Sequence, residues 1–393
     1  MRISSWCIQQ KRWDSEQYSS HSQERCHHTC RLLSPSLEDE EVSFPGNAVY
    51  EFEQLYWSLQ QAEVQPACRV TPISAEDVST TTQVLKSQGC QFAVKSGGHA
   101  FFAGASNIGS AVVIDLSNLN QVKISTNKTE VSVGAGTQWS NLYPLMRAAE
   151  IRVIGGRFVG MGVEGLTLGG GIPLHSGRSC QWFYSEFQPR IAPRSVWALR
   201  GGGNNFGIVT RFDLASFEQG DMWGGMTISN ATEPPNAFEA LVSFNINHAP
   251  DPFAAVFLAY AYLPSAGTTL VSATLNYGIP IIDPAIFSNF TNLASISSSL
   301  RITNLTSLVN STAATQPPGL RESYWTLTMF NDADLMNDIC KILDQEVQNI
   351  NNATNVIPAI VFQPISKPII SQFSKNGGNA LGITTEDGPL ICK

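Results

Sequence analysis

The chain has 393 residues, 43% of them hydrophobic and 14% charged, which is enough apolar material for two domains with sizeable cores and too little charge for a disordered polymer. A net charge of −8 and a pI near 5.3, with no run of Lys or Arg, exclude a nucleic-acid-binding surface, which needs a basic stripe. No uninterrupted apolar stretch approaches the roughly 20 residues of a membrane-spanning helix, so neither nucleic acid nor membrane is expected as a partner.

Residues 1–43 are polar with little periodicity and are expected to be poorly ordered, with function independent of them. Cys26-His27-His28-Thr29-Cys30 has the residue types of a metal site but lacks a second ligand pair at proper spacing, so no metal is expected. Met1 to Glu24 lacks the apolar core of a signal peptide. Asn127, Asn230, Asn289, Asn304, Asn310 and Asn352 nevertheless each begin an Asn-X-Ser/Thr sequon, as a secretory route would suit, and Cys30, Cys68 and Cys90 are then candidates for disulfides of unspecified connectivity.

Ser74-Ala75-Glu76-Asp77 reads as a capped helix start, Val78, Thr81, Val84 and Leu85 fall on one face, and Gly89 supplies the stop. The period then changes to two. Phe92 and Val94 lead into a turn, Val112 to Leu116 reads as a buried strand, and Glu130 to Val133 as another that ends at Gly134. Thr137 is expected to cap a helix carrying Trp139, Leu142, Tyr143 and Met146, kinked late by Pro144. From about Phe217 to Gln363 the composition shifts toward Ser, Thr, Asn and small apolar residues, with strand-like runs at Ala254 to Tyr262 and Thr268 to Tyr277. The fold class is α+β.

Three glycine-bearing stretches carry the chemistry. Lys95-Ser96-Gly97-Gly98-His99-Ala100 places an imidazole directly after paired glycines, which let a backbone approach a diphosphate and aim N–H groups at it. Gly160-Met161-Gly162-Val163-Glu164-Gly165 matches the spacing of a dinucleotide fingerprint, but Leu166-Thr167-Leu168-Gly169-Gly170-Gly171 follows, and glycine is a poor helix former by about 1 kcal/mol per residue. A cofactor-wrapping loop is the better reading, and a nicotinamide-binding dehydrogenase the lesser one. Trp197-Ala198-Leu199-Arg200-Gly201-Gly202-Gly203-Asn204-Asn205-Phe206-Gly207-Ile208-Val209-Thr210 is the third.

In this order, and with Val131-Ser132-Val133-Gly134-Ala135-Gly136, Trp139 and Gly155-Gly156-Arg157 between them, the motifs resemble the FAD-linked oxidoreductases of the vanillyl-alcohol oxidase type, in the fungal berberine-bridge-enzyme-like branch. The resemblance covers Phe44 to Leu214 well and the rest weakly, including Gly377-Gly378-Asn379-Ala380-Leu381-Gly382. It implies a two-subdomain FAD-binding domain at 44–216, an antiparallel-sheet substrate domain with helices on one face at 217–376, and a shortened return to the FAD domain at 377–393. It further implies FAD bonded through His99 to the flavin 8α-methyl. Lys95, Ser96, Gly97, Gly98, Ala100, Gly162, Gly165, Leu168, Gly169, Gly170, Ile208 and Val209 are the accompanying cofactor-binding positions. Relatives with a second, cysteinyl bond carry the cysteine near Gly155-Gly156-Arg157, and this chain has none between Cys90 and Cys180, so attachment through His99 alone is expected.

The implied activity is oxidation of a small organic substrate in fungal secondary metabolism, with hydride passing to flavin N5 and oxygen reoxidising the flavin. A base of suitable pKa must take the accompanying proton. Some relatives carry a catalytic carboxylate shortly after the paired glycines near the end, and the resemblance thereby implies Glu386 as the candidate. The chain departs from the family in the short segment 172–196, where Cys180 to Arg190 does not resemble the expected strand, and in its short end. A flavin-binding remnant without turnover and an oligosaccharide oxidase are the alternatives.

Overall fold

The computed structural model describes residues 20–37, 40–158, 160–171, 193–230, 234–247, 251–312, 315–350, 356–374, 378 and 381–392. The Cys180 to Arg190 segment and most of Gly377 to Ala380 lie outside them.

The first subdomain holds α1 (Ser20–Leu33), β1 (Val42–Ser43), α2 (Ala48–Glu53), α3 (Leu59–Ala62), β2 (Cys68–Val70), α4 (Ala75–Gln88), β3 (Phe92–Lys95) and β4 (Val112–Asp115). Its sheet runs β1-β2-β4-β3, with β4 parallel to both β2 and β3. All four residues of β4 are buried, as the unbroken apolar run Val112-Val113-Ile114 requires of a central parallel strand. In α4 the Ser74 side chain accepts from the Asp77 N–H, and Gly89 ends the helix in the left-handed region at φ 62°.

The expectation of disorder through residue 43 is corrected from Ser20 onward. Cys26, Cys30 and Leu33, spaced on one helical face, are buried against α4 and β2, and the face is held by Cys26–Cys90 and Cys30–Cys68 disulfides. Cross-links over 64 and 38 residues are each typically worth about 2–4 kcal/mol, replacing the apolar stripe this helix lacks. Both cysteines of the His-Cys cluster are thereby engaged in sulfur–sulfur bonds.

The second subdomain comprises β5 (Val122–Ile124), β6 (Glu130–Gly134), α5 (Trp139–Ala148), β7 (Ile151–Val153), α6 (Val163–Gly169), α7 (Pro193–Gly202) and β8 (Arg211–Glu218), with an antiparallel sheet ordered β5-β6-β8-β7. Two expectations change here. Gln138, not Thr137, is the N-cap of α5, and the helix runs through Pro144 to Ala148. The glycine stretch expected as a loop contains α6, because Val163 and Leu168 are buried in the domain core and tertiary packing overrides the poor propensity of glycine.

The remaining elements are β9 (Met222–Asn230), α8 (Pro234–Asn247), β10 (Ala254–Leu263), β11 (Thr268–Tyr277), α9 (Ser288–Thr291), β12 (Ser297–Ser298), β13 (Arg301–Thr303), α10 (Leu305–Thr312), β14 (Thr328–Phe330), α11 (Ala333–Ile350), β15 (Ala359–Ile365), α12 (Lys367–Ser371) and β16 (Leu390–Cys392). They form an eight-stranded antiparallel sheet ordered β12-β9-β11-β10-β15-β16-β14, with β13 also on β9. Helices α8 and α11 cover one face through Phe238, Leu241, Met336 and Cys340, packed on Val256, Leu258, Leu275 and Phe362. The opposite face meets the two-subdomain half, whose core Phe257 of β10 and Val309 of α10 join. The expected return of 377–393 to the first domain is corrected: β16 inserts between β15 and β14 of the large sheet.

Candidate active site

Strand β3 delivers the Ser-Gly-Gly-His turn to the junction of the two subdomains. Gly98 sits at φ +66°, which favours glycine. A Cβ on Gly97 would stand 2.2 Å from the Gly162 nitrogen, and one on Gly162 would stand 2.5 Å from the Ser96 Oγ. The two chains therefore cross backbone to backbone, and only glycine permits it. Ser96 Oγ donates to the Ala135 carbonyl at 2.7 Å, the Trp139 N–H donates to Met161, and the Val163 N–H donates to Thr137. Segments 96–99, 134–139 and 160–163 thus converge. A Cβ on Gly160 would lie 3.7 Å from His99 Cδ2, so this second glycine segment passes directly beside the imidazole.

His99 is half-buried and stacked on Trp57, with ring centroids 4.2 Å apart and planes 13° from parallel. Trp57 is itself fixed, its indole N–H donating to the Gln316 carbonyl at 3.2 Å, and Tyr324 leans on it at 6.1 Å. Burial lowers the His99 pKa below its ordinary 6.5, and a backbone hydrogen bond offsets part of that effect. The ring is accordingly neutral at neutral pH, with a nitrogen lone pair available. Neither Trp57 nor Tyr324 carries a sequence signal, because both arrive from elements distant in the chain.

Lys95 plays another part than the expected one. Its ammonium is held by Asp115 Oδ2 and the Glu53 carbonyl, each at 2.8 Å, under the Tyr56 ring. Arg69 lies 3.9 Å from the same carboxylate and donates to Tyr56 Oη at 3.2 Å. Burial drives the Tyr56 hydroxyl well above the usual phenol range, so it stays neutral. This buried charge cluster anchors the ends of β3 and β4 beneath the turn. Leu168 is likewise a core side chain, at 3% exposure, and Ile208 and Val209 pack on the same core just before β8. Ala100 is half-buried after His99, whereas Gly165, Gly169 and Gly170 are exposed along α6, with Gly170 ending it at φ +69°. The structure brings together Ser96, Gly97, Gly98, His99 and Gly162; it does not bring the three α6 glycines into that crossing.

Gly155 and Gly156 serve packing: a Cβ on either would run into the Trp139 ring, at 2.3 and 2.8 Å, and Tyr143 Oη donates to the Gly156 carbonyl at 2.6 Å. Beside the crossing, Glu164 is 4% exposed, its Oε1 has no hydrogen-bond partner among the described residues, and desolvation pushes its pKa up to about 8. It holds a proton at neutral pH. Glu386, the expected base, lies in an exposed turn where its N–H donates to Thr384 Oγ1. That turn precedes β16, whose pairing with the large sheet carries it, so no described contact links Glu386 to the His99 turn.

Bare glycine backbone from separate segments, one neutral imidazole at their edge, and an unmatched buried donor fit a flavin dinucleotide, whose pyrophosphate and ring system need close backbone approach. The comparisons agree. A family model described as an FAD binding domain matches residues 66–182. The FAD-dependent monooxygenase tpcD of Cochliobolus heterostrophus is 32% identical over 93% of this chain and 77% of its own length. Among solved structures, a carbohydrate oxidase from Microdochium nivale superposes with a TM-score of 0.69 at 17% identity, over 94% of this chain and 81% of the other. Glucooligosaccharide oxidase from Acremonium strictum, described with a 6-S-cysteinyl, 8α-N1-histidyl FAD, gives 0.67 at 16%, over 94% and 80%. The chain belongs to the FAD-dependent oxidoreductase family of these fungal relatives, and its fold is that of the carbohydrate and glucooligosaccharide oxidases.

Proposed function

We propose that the chain oxidises a small organic substrate with FAD held at the glycine crossing and bonded through His99 alone. The observation that carries this reading is the placement of a neutral imidazole, clamped on Trp57, where segments 96–99 and 160–163 meet. When bound, the flavin supplies a two-electron acceptor that takes hydride from a substrate C–H and is returned to its oxidised form by oxygen, releasing peroxide.

The chain's own residues define what surrounds that chemistry. Ser96, Gly97, Gly98, Ala100 and Gly162 offer backbone without obstructing side chains, and the Lys95–Asp115–Arg69 cluster fixes the turn that presents His99. Protonated Glu164, two residues after Gly162, is a buried hydrogen-bond donor. Trp57 covers one face of the imidazole and is itself backed by Tyr324. The relatives' designation as monooxygenases supports a second reading, in which an oxygen atom is retained in the product.

The test is the visible spectrum of the purified chain before and after acid precipitation. Yellow colour in the pellet, lost from the pellet in His99→Ala, is the expected result; colour released into the supernatant from the unaltered chain overturns the covalent link. A substrate screen reading peroxide, followed by isotope-labelled oxygen in the product, separates the oxidase from the monooxygenase.

A further inference from the structure

Arg157 leaves the flavin-type domain directly after Gly155-Gly156 and ends on the large sheet. Its Nη1 donates to Gln363 Oε1 at 2.5 Å, and its Cζ stands 4.8 Å from the Phe257 ring centroid. These contacts form a single row. Leu258 pairs with Phe362, so Phe257 and Gln363 are the next opposed positions of β10 and β15, and Gln363 pairs with Cys392 of β16. Phe362 faces the helices, so Gln363 and its row face the flavin-type domain. On the other side of Phe257 the row continues to Thr274.

No carboxylate among the described residues lies within ion-pair distance of the guanidinium. Burial lowers its pKa to about 10, and the nearby Cys392 pulls the other way, so the group stays cationic at neutral pH. Gln363 and Phe257 orient the plane without neutralising it. An oriented, buried guanidinium with no countercharge among the described residues costs stability unless a ligand brings one, and its planar fork matches an oxyanion.

We propose that Arg157 is the specificity-determining residue for an anionic substrate, binding an ionised oxygen group, carboxylate or phenolate, between the flavin-type domain and the row Phe257–Gln363–Cys392. This rests on the flavin reading only in that the anion is taken as the substrate the flavin oxidises.

The test is calorimetric titration of the purified chain with two matched pairs: benzoate against benzamide, and 4-nitrophenolate against nitrobenzene, the phenol being held above its own pKa. The unaltered chain is expected to prefer one or both anions by about tenfold or more, as a charge-assisted hydrogen bond provides. Which pair shows the preference identifies the anion. Arg157→Gln is expected to bring the ratio close to one. Gln363→Glu places a carboxylate against the guanidinium and is expected to abolish the preference while keeping or raising the melting temperature. A merely structural strut would be strengthened by Gln363→Glu with the ratio unmoved, and that result overturns the proposal. So does the absence of any anion preference in the unaltered chain, or an Arg157→Gln protein that keeps the preference. Flavin content, read separately from the visible spectrum, tells failure of the cofactor reading from failure of this one.

Discussion

The cradle around His99 and the facing side of the large sheet are built on opposite rules. In the cradle, backbone meets backbone, with approaches such as Gly97 to Gly162 that leave no room for a methyl group, over a buried cluster of Lys95, Asp115 and Arg69. On the sheet, strands of ordinary spacing present side chains in rows, and Phe257, Gln363 and Cys392 act through what they project. The difference teaches where such a molecule tolerates change: the side around His99 is fixed by steric exclusion and buried charge, and the sheet side by exchangeable side chains.

The contrast breaks first if the cluster under the turn proves dispensable. Asp115→Ala leaves Lys95 and Arg69 as uncompensated buried cations, and breaking such a pairing costs about 3–5 kcal/mol. Urea unfolding should show that loss, and flavin content should fall with it. Full flavin content and unchanged stability would mean that the turn is held by its glycines alone.

Glu164 sharpens the same side of the comparison through pH. Its folded pKa of about 8 lies above the ordinary 4.5, so the folded state binds the extra proton between those values. Its contribution is fully present below the unfolded pKa and is lost as pH rises through the folded one, at about 1.4 kcal/mol per unit. Between pH 5 and 7 stability should therefore fall by roughly 2–3 kcal/mol more in the unaltered chain than in Glu164→Gln. Parallel stability curves for the two proteins would show that the carboxyl is solvated.

On the sheet side the expected effects are smaller. Gln363→Leu removes the acceptor for Arg157 Nη1 and should cost about 1–2 kcal/mol, with flavin content unchanged because no glycine contact moves. Loss of flavin in this variant would erase the distinction between the two sides.

The same division explains what the sequence disclosed. Ser96 to His99 was readable because close backbone approach can be written only in glycine, and α4 was readable from Ser74 and Gly89, whose side chain and conformation mark its ends. Helix α1 was not, since its buried face is made of cysteines whose partners lie 38 and 64 residues away. α6 was misread because glycine propensity is local, whereas the burial of Val163 and Leu168 is not. The row through Gln363 depends on strand order and register, and the stacking of Trp57 on His99 on a loop docked from afar; neither leaves a local pattern.

Trp57 tests how far steric fixation reaches from the glycines to the imidazole. Trp57→Ala removes a stack worth about 0.5–1.5 kcal/mol and opens His99 to water. Burial is the larger cause of its lowered pKa, so exposure should return the value toward 6.5. The sign for stability follows: a depressed folded pKa contributes stability present above the unfolded value and lost as pH falls through the folded one, so the variant should lose less on acidification from this group. NMR titration of the ring in flavin-free chain, assigned with His99→Gln, measures the shift. If the midpoint rises and covalent flavin incorporation slows at mildly acid pH, Trp57 keeps the nucleophilic nitrogen unprotonated; if the midpoint stays put, the glycine segments alone desolvate the ring, and the cradle is fixed entirely by backbone.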